Sequence, residues 1–377
     1  MSVAEPLERV VIKVGSAVVA PGGRLDVVAI TRLVDDLAGL RHQGSQVVLV
    51  SSGAVACGFR ALGADALPTS IRPKQAAAAV GQPALMRAYS ERLAMHAITP
   101  AQVLLTADDF AHRERFLNAR HTLETLLISG ALPIVNENDS VVFDEMKLGD
   151  NDRLSALVAT SCDADMLILL SVAPGLLDRD SGTVIPHVRS IAEARRHVDS
   201  AASSGVGTGG MATKLDAAQI AVTHGIPAHL TQGPTDARPN PIAQVIAGVD
   251  QGTRFEPDTS LNVRARKSWI GFAAAARGVL IVDDGAAKAI SRKGASLLPG
   301  GIARVEGSFE AGAAVDIVDR GGTRIARGLV SYAAEEIERI KGRHSESITE
   351  ILGYTYADEV VHRNDMQVMK DANAQVD

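Results

Sequence analysis

Two polar stretches and two lysines hold the residue types that could do chemistry here. The apolar run Leu132 to Val135 is followed by Asn136, Glu137, Asn138 and Asp139, and after a short loop by Asp150, Asn151 and Asp152. The run is short and preceded by Ser129-Gly130, so it reads as a buried strand. A strand that ends in a row of amides and carboxylates is how an open α/β sheet lines its ligand crevice. Carboxylates repel an anion. A crevice of this kind can take a carboxylate or a phosphate only with backbone N–H groups, lysines or a metal ion beside it. Lys13 lies within the apolar run Val10 to Val14 that ends at Gly15, and Lys214 lies one turn into the helical stretch that follows Ser203 to Gly210.

Each of these features has a plainer reading beside the functional one. Lys13 either points at a phosphate or is an edge-strand lysine reaching water. Ser51-Ser52-Gly53-Ala54 lies between a strand and a helix, where small residues let N–H groups approach an anion. A serine there also serves as an ordinary N-cap. Gly205-Val206-Gly207-Thr208-Gly209-Gly210 fits G-x-G-x-x-G, but no strand precedes it, so it is a poor dinucleotide fingerprint. It is a better phosphate grip, since a helix and Lys214 follow; the alternative is a flexible linker. Asp139, Asp150, Asn151 and Asp152 are either a site or a solvated acidic loop, and apolar elements on both sides tie them to the sheet. No Gly-Lys precedes Ser or Thr as a Walker A motif requires, and no protein-kinase D-F-G occurs. Cys57 and Cys162 have no ligand-spaced His or Cys, so no metal site is expected, and His112 and His121 read as surface or core residues.

These residues need a frame. Strands are predicted at Val10 to Val14, Gln46 to Val50, Val103 to Leu105, Leu132 to Val135, Met166 to Leu170 and Ala228 to Leu230. Helices are predicted at about 26–42, 72–80, 83–96 and 113–129, from Asp152 onward, from Met211 to His224 and near 242–248. The alternation predicts an α/β fold in three layers, a mostly parallel sheet covered on both faces. From Arg277 the texture changes to short apolar runs between Gly and Asp turns, a small β-rich domain. The expected division is one domain over 1–255, a linker over 256–276, a second domain over 277–356 and a polar tail over 357–377. The 377 residues, 46% of them hydrophobic, suit two packed domains and argue against disorder. The net charge of −6 gives no general pull toward nucleic acid or acidic membranes. Two cysteines, no basic-then-apolar leader and no apolar run of membrane length predict a soluble cytoplasmic protein.

Together the segments resemble the amino-acid kinase family, in its glutamate-phosphorylating branch. The matching stretches are Lys13-Val14-Gly15-Ser16, Ser51 to Ala54, Arg113 to Arg120, Ile134 to Asp139, Gly149 to Asp152 and Thr208 to Lys214. The C-terminal domain resembles a PUA module, most clearly at Ala295 to Ile302. The resemblance implies ATP-dependent phosphorylation of the L-glutamate γ-carboxylate, with Mg²⁺, as the first step of proline synthesis. By position, Lys13 and Lys214 would neutralise the transferring phosphoryl group and Asp152 would orient them. Ser52, Gly53, Asn136, Asp139, Asp150 and Asn151 would hold glutamate. Lys13, Gly15, Ser171, Val172, Thr208, Gly209, Gly210, Met211, Ala212, Thr213 and Lys214 would lie along ATP. The resemblance also implies proline as a feedback inhibitor at the 136–152 loop and a homo-oligomer. It leaves room for functional coupling to the glutamate-5-semialdehyde dehydrogenase that consumes the labile product.

One loop departs from the family. After Met166 to Leu170 the family has Thr/Ser-Asp and then Gly-Leu-Tyr, whereas this chain reads Ser171-Val172-Ala173-Pro174-Gly175-Leu176-Leu177. The missing acid and tyrosine predict altered contacts to the nucleotide. The rival readings are a kinase of the same superfamily acting on aspartate, N-acetylglutamate, carbamate or UMP, and an RNA-binding protein. Residues 277–355 hold 11 Lys and Arg against 11 Asp and Glu, which argues against RNA as a partner.

Overall fold

A computed structural model describes residues 7–141, 151–198, 210–249, 252–257 and 276–369. The chain divides into two compact units, Met1–Asp258 and Thr259–Asp377.

The first unit is built on an eight-stranded sheet. Its strands are β1 (Arg9–Val14), β2 (Gln46–Ser51), β3 (Pro100–Leu105), β4 (Leu132–Glu137), β5 (Met166–Ser171), β6 (His187–Val188), β7 (Ala228–Gln232) and β8 (Thr253–Phe255). The spatial order is β3-β4-β2-β1-β5-β7-β8-β6, and every pair is parallel except β7 with β8. Its helices are α1 (Ser16–Val19), α2 (Val27–His42), α3 (Ala54–Gly58), α4 (Ile71–Ala94), α5 (Ala107–Ala111), α6 (Arg113–Ile128), α7 (Asn151–Ser161), α8 (Ile191–Ala194), α9 (Met211–Thr223) and α10 (Pro241–Ile246).

Strand alternation sorts the core into two layers. Val10, Ile12 and Val14 of β1 pack with Leu33 and Leu37 of α2, Leu85 and Tyr89 of α4 and Ile242 of α10. Val11, Val48, Val50, Val135, Leu167 and Leu169 face the opposite side, with Leu123 of α6, Leu154 and Val158 of α7 and Leu215 and Ala218 of α9. Each fully buried aliphatic side chain is worth about 1.5–3 kcal/mol, so both layers are needed to hold the sheet. The expected three-layer α/β frame is the observed one. Asp36 ties the first layer together: its carboxylate accepts from the N–H of Ile242 at 2.7 Å and of Ala243 at 3.1 Å, so α2 caps α10. Burial pushes that carboxyl up to about 6, against the pull of the two N–H groups.

Local signals misplaced some elements. The two helices expected at 72–80 and 83–96 are one, α4, which runs through Pro83. Proline removes one N–H and crowds the carbonyl four residues back. Tertiary packing overrides it, because Ala77, Ala78, Gly81 and Gln82 before it and Leu85, Tyr89 and Leu93 after it are all buried. Thr253–Phe255, at the end of the expected first domain and read without a strand there, is a strand whose Phe255 is fully buried.

The second unit is a five-stranded sheet of β9 (Gly278–Val282), β10 (Ile302–Gly307), β11 (Ala314–Val318), β12 (Arg324–Leu329) and β13 (Met366–Val368), in the order β10-β9-β11-β12-β13. The expected tail is not all tail. Residues 366–368 pair with Ala326 to Gly328, and Val360, Val361 and Met366 are buried. Tyr332 holds the chain on its way there, since its hydroxyl accepts from Tyr356 and Ala357 N–H at 2.9 Å. A three-residue strand flanked by polar residues carries too little periodicity to be read locally. No described helix is long and apolar enough to cross a membrane.

Candidate active site

The same alternation that builds the core aims Lys13. Val11 faces α7 and α9, so Lys13, two residues on, faces them too. It is only 4% exposed, which removes the reading of an edge-strand lysine reaching water: β1 sits in the middle of the sheet. Asp152 waits in the first turn of α7, where a carboxylate suits the helix dipole, and it is 1% exposed. Lys214 is in the first turn of α9, with no acidic residue in that turn. A cation there opposes the dipole, so its place is not owed to helix stability.

Asp152 joins the two lysines. Its Oδ1 lies 2.6 Å from Lys13 Nζ, and its Oδ2 accepts from Lys214 Nζ at 3.0 Å. Thr213 Oγ1 lies 2.6 Å from Oδ2 and donates to it. Burial alone would raise the Asp152 carboxyl, but Lys13 and Lys214 outweigh it and hold the group well below the ordinary carboxylate range. The acid is therefore ionised at any working pH. An ammonium group has three N–H donors, and each of the two lysines turns its head to Asp152.

The polar row at the end of β4 is a buried amide network. Asn151 Nδ2 donates to Asn136 Oδ1 at 3.0 Å, and Asn151 Oδ1 accepts from Glu137 N–H at 3.1 Å. Asn136 Nδ2 donates to Gln82 Oε1 of α4 at 2.8 Å, and Gln82 Nε2 donates to Gln102 Oε1 at 3.1 Å. Asn136 thus has protein partners at both ends of its amide. Gln82 belongs to this network and the motif reading missed it; the signal available was a glutamine on the helix face of Ala78 and Leu85.

Asp139 is different. It is 6% exposed, its Oδ1 has no hydrogen-bond partner among the described residues, and burial pushes the carboxyl up to about 6 against the opposing charge of Lys74.

The loops at the carboxyl ends of β1, β2 and β5 close around this place. Gly15 N–H donates to Leu170 O at 3.3 Å and Ser52 N–H to Val14 O at 3.0 Å. A Cβ on Gly15 would sit 3.8 Å from Lys13 Nζ, so this turn lies against the lysine head. Gly53 has φ +123°, and a Cβ there would press on Val19 at 3.1 Å. Ser52 and Ser171 are half-buried and Val172 is 56% exposed. Gly210 and Met211 are half-buried at the start of α9, and Ala212 is exposed. Thr213, expected along the nucleotide, donates its hydroxyl to Asp152. Asp150, Thr208 and Gly209 lie outside the described residues. Among the described residues no group of three or more His, Cys, Asp or Glu side chains is gathered to hold a metal ion.

A buried carboxylate serving two lysines, at the carboxyl ends of parallel strands, suits the transfer of an anionic group. The comparisons agree. Residues 278–352 match the PUA domain model. The glutamate 5-kinase of Trichlorobacter lovleyi is 49% identical over 371 residues, covering 97% of this chain and 98% of that one. Those of Geobacter sulfurreducens and Shewanella sediminis are 46% and 44% identical over 369 residues, each covering 96% of this chain and 98% of theirs. Residues 8–232 match the amino acid kinase family model, and with relatives this similar along nearly the whole chain, the chain belongs to the amino acid kinase family.

Proposed function

We propose that this chain transfers the γ-phosphoryl group of ATP to the γ-carboxylate of L-glutamate, giving L-glutamyl 5-phosphate for proline biosynthesis. The observation that carries the reading is the Lys13–Asp152–Lys214 cluster; the names of the relatives supply the acceptor. A carboxylate oxygen attacks the γ-phosphorus, the bond to the β–γ bridging oxygen breaks, and ADP leaves with the electron pair. The nucleophile is already ionised, so no general base is required. What the protein supplies is alignment and neutralisation of charge on the transferring group. Lys13 and Lys214 provide the donors, and Asp152 keeps both heads on one centre. Magnesium usually arrives on substrate phosphates and keeps several of its waters.

The test is ATP turnover with L-glutamate in the presence of hydroxylamine, which traps an acyl phosphate as hydroxamate. Glutamate-dependent hydroxamate is the expected result. Hydroxamate with aspartate and none with glutamate would keep the phosphoryl transfer and overturn the acceptor.

Asp139 gives the reaction an expected pH dependence. Its folded pKa of about 6 lies above the ordinary value near 3.9, so protonation stabilises the fold as pH falls through 6, and the ionised form at neutral pH costs stability. Binding has the opposite sign, because an acceptor's α-ammonium needs the ionised carboxylate. The KM for L-glutamate is therefore expected to rise roughly tenfold per pH unit below about 6, and to be high and flat in Asp139→Asn. A glutamate KM in the wild type that is constant from pH 7 to 5 would take Asp139 out of the acceptor site. Proline has the same ammonium and α-carboxylate, so its inhibition is expected to be competitive with glutamate.

A further inference from the structure

The acceptor reading gives Ser52 and Gly53 to glutamate and leaves open what holds the peptide between them. That peptide follows β2, whose last residue, Ser51, is fully buried. One face of α4 runs beneath it. Gly81, Leu85 and Tyr89 recur every four residues along that helix. A Cβ on Gly81 would stand 1.9 Å from Ala54 O, and one on Gly53 would stand 3.7 Å from a Leu85 methyl. Tyr89 OH lies 2.7 Å from Ser51 Oγ. The three residues of α4 therefore track Ala54, Gly53 and Ser51 in turn, and Tyr89 meets the chain where the strand ends.

The number of protons fixes the direction of these bonds. The Ser51 hydroxyl has one, and it goes to Ser52 O at 3.0 Å. Ser51 Oγ is then the acceptor for Tyr89, which is fully buried and would otherwise keep an unpaired proton in the core. Burial pushes the phenol far above its ordinary range, so it stays a donor at any working pH. Two hydrogen bonds thus run in series, from Tyr89 through Ser51 to the Ser52 carbonyl. The Ser52–Gly53 peptide is trans, so its C=O and N–H point opposite ways. Pinning Ser52 O to Ser51 therefore sets the direction of Gly53 N–H, away from Ser51. The plainer reading is a buried polar pair that only fills space. Among the described residues of that layer, Tyr89 is the one aromatic side chain. Phenylalanine would fill almost the same space, so what the hydroxyl adds is its bond to Ser51.

We propose that Tyr89 is a positioning residue for the acceptor: its hydroxyl, acting through Ser51, fixes the Ser52–Gly53 peptide against which glutamate binds. The proposal rests on the acceptor reading above and deepens it. Tyr89 is sealed in the core and reaches neither substrate, so it acts on glutamate binding and leaves phosphoryl transfer to Lys13 and Lys214.

The experiment is steady-state hydroxamate formation by Tyr89→Phe, Ser51→Ala and the double variant, each beside a thermal melt. Tyr89→Phe is expected to raise the glutamate KM about 3–10-fold, the worth of one neutral hydrogen bond, while kcat and the ATP KM stay within about twofold. Ser51→Ala should raise the glutamate KM at least as much. The double variant should match Ser51→Ala, because two links of one chain are not additive. Ser51→Ala strands the Tyr89 proton in the core and Tyr89→Phe does not, so the phenylalanine variant carries the test if the alanine variant fails to fold. A Tyr89→Phe enzyme with a lowered melt and an unchanged glutamate KM would make the hydroxyl structural only and overturn the proposal. So would an equal rise in the ATP KM, or a double variant whose KM rise is the product of the two single rises. Absence of glutamate-dependent hydroxamate in the wild type would instead overturn the acceptor reading beneath it, so the two failures are told apart.

Discussion

Lys214→Ala is expected to lower kcat by roughly 10²–10³-fold, the usual cost of removing one donor from a developing anion. The KM values for glutamate and ATP should move much less, because the lysine's N–H groups matter most where charge builds on the transferring phosphoryl oxygens. The variant should also fold. Breaking a buried ion pair is severe when it leaves a charge alone, at about 3–5 kcal/mol. Here Asp152 keeps Lys13 at 2.6 Å and the Thr213 hydroxyl at 2.6 Å after the truncation. Asp152→Asn is the contrasting case: it removes the carboxylate that joins Lys13 and Lys214 among the described residues, so both turnover and stability should fall. Single-turnover hydroxamate formation beside a thermal melt separates the two effects. A Lys214→Ala enzyme within tenfold of the wild-type kcat would exclude that lysine from the transfer step.

The second large effect concerns the fold. A Cβ on Gly81 would stand 1.9 Å from Ala54 O and 2.6 Å from Gly58 N. A Cβ on Gly58 would stand 1.9 Å from Ala77 O and 2.6 Å from Gly81 N. The two glycines therefore let α3 and α4 meet backbone to backbone. Alanine at either position gains up to about 1 kcal/mol of helix propensity. It also drives a methyl into main-chain atoms that cannot rotate away. Overpacking typically costs about 1–3 kcal/mol when flexible side chains give, and rigid partners on both sides put this case at or above the upper end. Gly81→Ala is expected to lose about 3 kcal/mol or more by urea unfolding. Because α3 starts directly after Ser52-Gly53, parting the helices should also raise the glutamate KM. A neutral or more stable Gly81→Ala would show that helix propensity outweighs the contact.

Much of the site was legible as a set of positions. Lys13 lies near the end of an apolar run that leads into Gly15, Asn136 to Asp139 follow another, and Lys214 follows a glycine-rich stretch. Strand ends in a parallel sheet share one edge, so residues placed there converge whatever their separation in sequence. The frame was legible for a related reason: β1, β2, β4 and β5 are continuous apolar runs, the signature of strands buried on both faces, and α2 shows helical spacing.

Partner choice was not legible in spacing or periodicity, and only the family resemblance set Asp152 beside Lys13 and Lys214. That Lys13 pairs with Asp152 depends on strand parity, which turns Val11 and Lys13 toward α7 while Ile12 and Val14 face α2 and α4. That Thr213 turns to Asp152 and not outward depends on how α9 seats beside α7. Gln82 lies on a helix whose proline argued for a break, so only the packed α4 could show that it is directed at β4. The strand at 366–368 likewise exists because β12 offers it an edge. The residue types and the order of elements are written locally, in apolar periodicity and turn chemistry. Which polar group meets which is decided when the sheet closes, because a contact between residues far apart in the chain is set by the packing of whole elements and leaves no pattern in the residues around it.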